Sequence, residues 1–97
     1  MLLDIEDRDG KTVLMRALWG ENFELATKLI SRGANINAVN REGRTALTHA
    51  VSEKRLSIID FLLKNGANPH IEDLSGKDCC DYAKESGLTN FDELRYC

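Results

Sequence analysis

The stretch Leu29-Ile-Ser-Arg-Gly-Ala-Asn-Ile-Asn37 returns 33 residues later as Leu62-Leu-Lys-Asn-Gly-Ala-Asn-Pro-His70. The periodicity extends outward from this pair. Gly10, Gly43 and Gly76 keep the same 33-residue spacing, and so do Ala17, Ala50 and Ala83. Thr12 and Leu14 match Thr45 and Leu47. Aligning residues 7–39 with 40–72 gives nine identities in 33 positions, at places where backbone or core geometry is strictest. A third copy begins at residue 73 and stops eight residues short, at Cys97. A fixed period of this length marks a stack of supersecondary units, each burying its apolar face against the next. The expected division of the single domain is a tail of a preceding unit at 1–6, units at 7–39 and 40–72, and a C-terminal capping unit at 73–97.

Each unit carries two helical patterns. Thr12 precedes Val13, Leu14, Ala17 and Leu18, whose spacing fits one helical face. Its hydroxyl is placed to cap the first turn. Phe23, Leu25, Ala26, Leu29 and Ile30 form a second pattern, ended by Gly33 in a left-handed conformation. The second copy predicts a helix over 46–53 behind Thr45 and another from Leu56 to Lys64, before Gly66. Turn-rich sequence joins the units, with Gly43 closing the turn. Pro69 falls there too, where its missing amide costs little.

The runs Asp7-Arg-Asp-Gly-Lys-Thr12-Val-Leu14 and Leu29-Ile-Ser-Arg-Gly33-Ala34-Asn35-Ile-Asn37, with their copies, resemble the ankyrin repeat. The resemblance covers residues 3–97. It implies an all-α repeat solenoid, a helix–turn–helix stack with projecting β-hairpin turns. The family's usual Pro is replaced by Val13, Ala46 and Cys79, and its usual His by Met15, Thr48 and Asp81. These departures are expected to weaken a local hydrogen-bond network and to leave the packing intact. The resemblance further implies a protein-binding scaffold using a concave groove and the hairpin tips. Two alternatives stand beside that: a substrate-recruitment domain of a larger enzyme, such as a signalling protein or bacterial effector, and a structural spacer. A protein partner and a monomer are expected, with no cofactor and no small-molecule substrate. Asn37 resembles ankyrin asparagines that are hydroxylated, although the acidic neighbours that favour the reaction are missing.

The composition narrows these classes. Thirteen Lys+Arg against 16 Asp+Glu give a net charge of −3, which argues against non-specific nucleic-acid binding. A hydrophobic share of 42% suits a globular fold. Apolar runs are too short to span a membrane, and no secretory signal is apparent. Three cysteines, two of them adjacent, predict reduced thiols in a cytoplasmic chain, or in host cytosol for an effector. With no Cys-x-x-Cys and with His49 and His70 separated by 21 residues, no metal site is expected. Asp7-Arg-Asp9-Gly10 fails as a calcium loop, because Ile5 and Arg16 would occupy carboxylate positions. Neither a phosphate loop nor a catalytic pair recurs at a shared place in the repeat, so no catalytic residue is expected.

The two ends differ. Asp78 stands where Thr12 and Thr45 stood, Lys84 where Leu18 and Val51 stood, and Asp92 at the register of Ala26 and Ile59. A polar outer face suits a terminal cap. At the other end, Leu18, Phe23 and Ala26 are expected to face an absent neighbour, as in the C-terminal part of a longer array.

The candidate partner-binding residues are Arg8, Lys11, Arg16, Trp19, Arg41, Arg44, His49, Ser52, Lys77 and Tyr82. The column Arg16, His49 and Tyr82 beside Trp19 has the composition of an interface hot spot. Trp19 has a second expected role, shielding the N-terminal end of the stack, and Tyr82 a second role in extending the core. Lys11, Arg44 and Lys77 form a basic column that suits an acidic partner but is also common at that register. Cys80, at the Leu14 and Leu47 register, is expected to act as a buried hydrophobe. Cys79 beside it, in a first helical turn, is expected to serve packing, with a lowered pKa as the alternative.

Overall fold

The computed structural model describes residues 12–87. Among these residues the helices are, in order, α1 (Val13–Trp19), α2 (Phe23–Ser31), α3 (Ala46–Ser52), α4 (Leu56–Lys64) and α5 (Cys79–Ser86). The first-helix patterns become α1, α3 and α5, and the second-helix patterns α2 and α4. Among the described residues the projecting hairpins form no strand. Their pairing is a single antiparallel bridge, Val39 to Thr45.

Local chemistry sets the boundaries. Thr12 Oγ1 accepts from the Met15 amide at 3.2 Å, and Thr45 Oγ1 from the Thr48 amide at 3.1 Å. Each such cap stabilises its helix by about 1 kcal/mol. In α5 an aspartate takes over the role. Asp78 accepts from the Asp81 amide, and the Asp81 carboxylate accepts from the Asp78 amide, both at 3.1 Å. Two of the three departures at the family's histidine register, Thr48 and Asp81, form their own hydrogen bonds. Asp81 closes a capping box, and Thr48 Oγ1 lies 3.0 Å from Thr45 Oγ1.

Helix ends repeat just as closely. After α2, Gly33 (φ 97°) donates to the Ile30 carbonyl and Ala34 to the Leu29 carbonyl. Gly66 and Ala67 repeat both bonds after α4. These are Schellman closures, which need a left-handed residue. The same closure ends α1 and α3, where the left-handed residue is Glu21 (φ 54°) or Lys54 (φ 57°), with no glycine to announce it in the sequence.

The core runs through all three units. Leu18, Leu47, Val51, Ile58, Ile59 and Leu62 are each at most 1% exposed. Burying a side chain of this size stabilises by roughly 1.5–3 kcal/mol. The expectation that Leu18, Phe23 and Ala26 face an absent neighbour does not hold. Leu18 and Ala26 are fully buried, and the half-buried Phe23 ring packs on Phe61 with centroids 5.0 Å apart.

Stacking between units is uneven. Helix α5 packs along α3 more extensively than any other helix pair, whereas α1 approaches α3 closely at few points. Ala46, Ala50, Cys79 and Ala83 are small and buried, which lets α3 and α5 lie close. The turns join as well, with the Leu74 amide donating to the Glu42 carbonyl at 3.0 Å. A Cβ on Gly43 would lie 2.9 Å from the Leu74 nitrogen, so only glycine fits this contact without a shift.

Candidate functional site

The helix register places Arg16 and Trp19 on one face of α1, and His49 and Ser52 on the matching face of α3. Trp19 leans toward the second unit. Its ring meets His49 edge-on with centroids 4.8 Å apart, and the Arg55 guanidinium lies 5.6 Å from its centroid. Glu53 holds the pair from below, accepting from Trp19 Nε1 at 3.4 Å and lying 2.7 Å from His49 Nε2. These contacts place Trp19 between the first two units.

This wedge leaves a cleft of about 160 Å³ between α1 and α3. Met15, Trp19 and Ala46 supply its apolar lining, with Arg16, Arg44 and His49 around them. No carboxylate is among the described residues that line it. Its volume suits one partner side chain rather than a cofactor.

The other candidate residues go elsewhere. Tyr82 is only 8% exposed, and its hydroxyl donates to Asp73 and accepts from Arg44 Nη2 at 3.1 Å. Arg44 also lies over the Tyr82 ring, 4.9 Å from the centroid, with Nε 3.5 Å from Asp73. Lys77 Nζ is 2.7 Å from Glu85. The basic column is therefore paired at both described positions, Arg44 inside the stack with Asp73 and Lys77 at the surface with Glu85. Ser52 Oγ donates to the His49 carbonyl at 2.8 Å. Arg41 stands exposed on its turn. Arg8 and Lys11 lie outside the described residues, as does Asp92.

Asp73 was not among the candidates, yet it organises the second interface. Hydrogen bonds from Ser75 and Tyr82 hold its carboxyl well below the usual carboxylate range. Sequence offered one signal: Asp73 repeats the turn position of Asn40, whose side chain accepts from the amides of Glu42 and Arg44.

Both described cysteines are buried, as the packing reading expects, but their chemistry differs from expectation. Cys79 is a free, buried thiol that donates to the Pro69 carbonyl at 3.1 Å. Burial first, then the charges of Asp78 and Asp81, pushes its pKa up to about 12, opposite to the alternative of a lowered value. Cys80 is buried as expected but disulfide-bonded, so the thiols are not all reduced. The third cysteine, Cys97, lies outside the described residues. A further group stands apart from the cleft: one ligand atom each from His70, Asp78 and Cys80, all within 4.8 Å of one another.

Asn37 is also committed, its side-chain carbonyl accepting from the Asn68 amide of the next unit at 2.8 Å. No helix among the described residues is long and apolar enough to cross a membrane.

No curated protein matches the chain. A family profile described as Ankyrin repeats (3 copies) matches residues 1–73, ending where the third unit begins. Helix α5 lies beyond the match yet continues the stack against α3. Such repeats are generally protein–protein interaction modules and typically non-catalytic. With three quarters of its length matched and the same closures recurring at each register, the chain belongs to the ankyrin-repeat family.

Proposed function

We propose that this chain is a monomeric module that binds a partner protein along the face shared by α1 and α3. The cleft carries the reading: an apolar pocket beside Trp19, rimmed by Arg16, Arg44 and His49, with no carboxylate among its described lining. An apolar partner side chain fits that lining; with Arg44 held on Asp73 and His49 beside Glu53, recognition here rests on shape and on the Trp19 ring more than on charge. Trp19 is the anchor, since a large ring held by neighbours on three sides loses little entropy on binding. Arg41 stands exposed on the adjoining turn beside this cleft. A recruitment domain of a larger enzyme would use this surface in the same way, whereas a spacer would leave it empty.

The chain holds one tryptophan, so its emission reports on the cleft. Partners captured from a lysate at physiological salt are to be purified and titrated against wild type, Trp19→Ala and Arg16→Glu, each shown to be folded. A true partner shifts the Trp19 emission and loses at least tenfold in affinity with either variant. Equal affinity for all three proteins removes the cleft from the binding surface.

A further inference from the structure

Three registers of the repeat change together in the second half of the chain. His70 stands where the first unit has Asn37, Asp78 where the earlier units have Thr12 and Thr45, and Cys80 where they have Leu14 and Leu47. Folding brings these three substitutions to one place. Their ligand atoms lie within 4.8 Å of one another, and His70 Nδ1 is 3.8 Å from Asp78 Oδ2. Helix capping accounts for only part of this. Asp78 Oδ1 caps α5, while Oδ2 is turned toward His70. A threonine meets the capping need in both earlier units, and a leucine fills the Cys80 position equally well.

We propose that His70, Asp78 and Cys80 bind a zinc ion when Cys80 is in its thiol form. A nitrogen, an oxygen and a sulfur donor suit this borderline-soft cation, and bonds of about 2.0–2.3 Å place tetrahedral ligands roughly 3.3–3.8 Å apart. The His70–Asp78 pair already has that spacing, and the sulfur has about an ångström to close. In the disulfide, the Cys80 sulfur is withheld from ligation. Two equivalents of a low-molecular-weight thiol open that bond, giving Cys80 and its partner cysteine as thiols and the reductant as its own disulfide. Zinc then replaces the Cys80 proton, which leaves to solvent. The ion would tie the loop after α4 to the first turn of α5, so its occupancy follows the redox state. Sequence spacing hides the site, because no two of its ligands form a Cys-x-x-Cys or His-x-x-x-His pair.

The test is a titration with Co²⁺ alone, then Zn²⁺, of the full chain reduced with excess thiol and desalted without oxygen. The expected result is one Co²⁺ per chain, with ligand-field bands in the visible and a thiolate charge-transfer band in the near ultraviolet, all bleached by Zn²⁺. His70→Asn and Asp78→Thr restore the residues that other units carry at these registers, so both are expected to fold, as checked by circular dichroism. Each should weaken Co²⁺ binding at least tenfold. Cys80→Leu should abolish the charge-transfer band. The proposal is overturned if reduced wild type shows only the spectrum of hydrated cobalt, if His70→Asn binds as tightly as wild type, if Cys80→Leu keeps its charge-transfer band, or if the disulfide form binds equally well.

Discussion

The two interfaces of this stack are built from the same registers and reach opposite results. Between the second and third units, small side chains let α3 and α5 approach closely, and Gly43, Arg44, Asp73 and Tyr82 knit the turns to the helices. Between the first and second units, Met15, Trp19 and His49 hold α1 away from α3 and leave the cleft. The family pattern specifies the glycines, alanines and leucines but leaves these positions open. One interface spends them on cohesion, the other on a surface with room for a guest. Arg44 belongs to both, lining the cleft while its charge is anchored on Asp73.

The largest effect expected from this contrast is in the core. Leu14 and Leu47 share a register and are 2% and 1% exposed. Changing either to alanine costs about 2–5 kcal/mol, depending on how far the site collapses. Leu47 lies in the central unit, with neighbours on both sides. Leu14 lies beside the looser interface. Leu47→Ala should therefore fall near the top of that range and Leu14→Ala near the bottom, as read from urea denaturation. Equal losses would mean that stability is spread evenly and that the contrast between interfaces has no energetic content.

What the sequence reveals and what it conceals divides along the same line. The N-caps at Thr12 and Thr45, the glycine closures at Gly33 and Gly66 and the extent of α4 are legible because each is a local event with a chemical signature. Trp19 on His49, Arg44 on Asp73 and His70 beside Asp78 and Cys80 are not, because each joins residues whose meeting depends on how units stack. Glu21 and Lys54 show the limit of local reading itself. Both take a conformation that sequence signals reliably only through glycine, and only Gly87, at the same register, gives it away. Cys79 shows two local signals in competition. A helix start favours the thiolate in the open, but burial and two aspartates outweigh it here.

The turn contact gives a finer test. Gly43 and Gly66 both have positive φ, at 78° and 87°. A Cβ at Gly66 would meet nothing within 4 Å, whereas at Gly43 it would press on the backbone of Leu74 and Asp73 at 2.9–3.2 Å. Gly66→Ala should cost about 1–2 kcal/mol, the penalty of a left-handed alanine. Gly43→Ala carries the same penalty plus the displacement of the next turn, and should cost about 1 kcal/mol more. Thermal or urea midpoints of the two variants decide it. If they match, the second interface yields without strain and is less tightly joined than its geometry implies.

The smallest effect near neutrality belongs to Asp73, and it grows with acid. A carboxyl whose pKa is lower folded than unfolded contributes its full stabilisation above the ordinary carboxylate range. As pH falls below about 4, the unfolded chain binds a proton that the folded chain still refuses. The stabilisation is thus lost progressively as pH drops toward the depressed folded value. Asp73→Asn removes this titration and leaves a side chain able to accept the Ser75 and Lys77 amides, as Asn40 does in the preceding turn. Wild type should therefore lose more stability than Asp73→Asn between pH 6 and pH 3, in urea melts at constant salt. The cleft interface supplies the control. Trp19 emission reports on the first two units, and a probe on α5 on the last two. If the acid transition seen by Trp19 precedes the one seen on α5, the interface that yields first is the one without Asp73, and the carboxylate is not what holds the stack together at low pH.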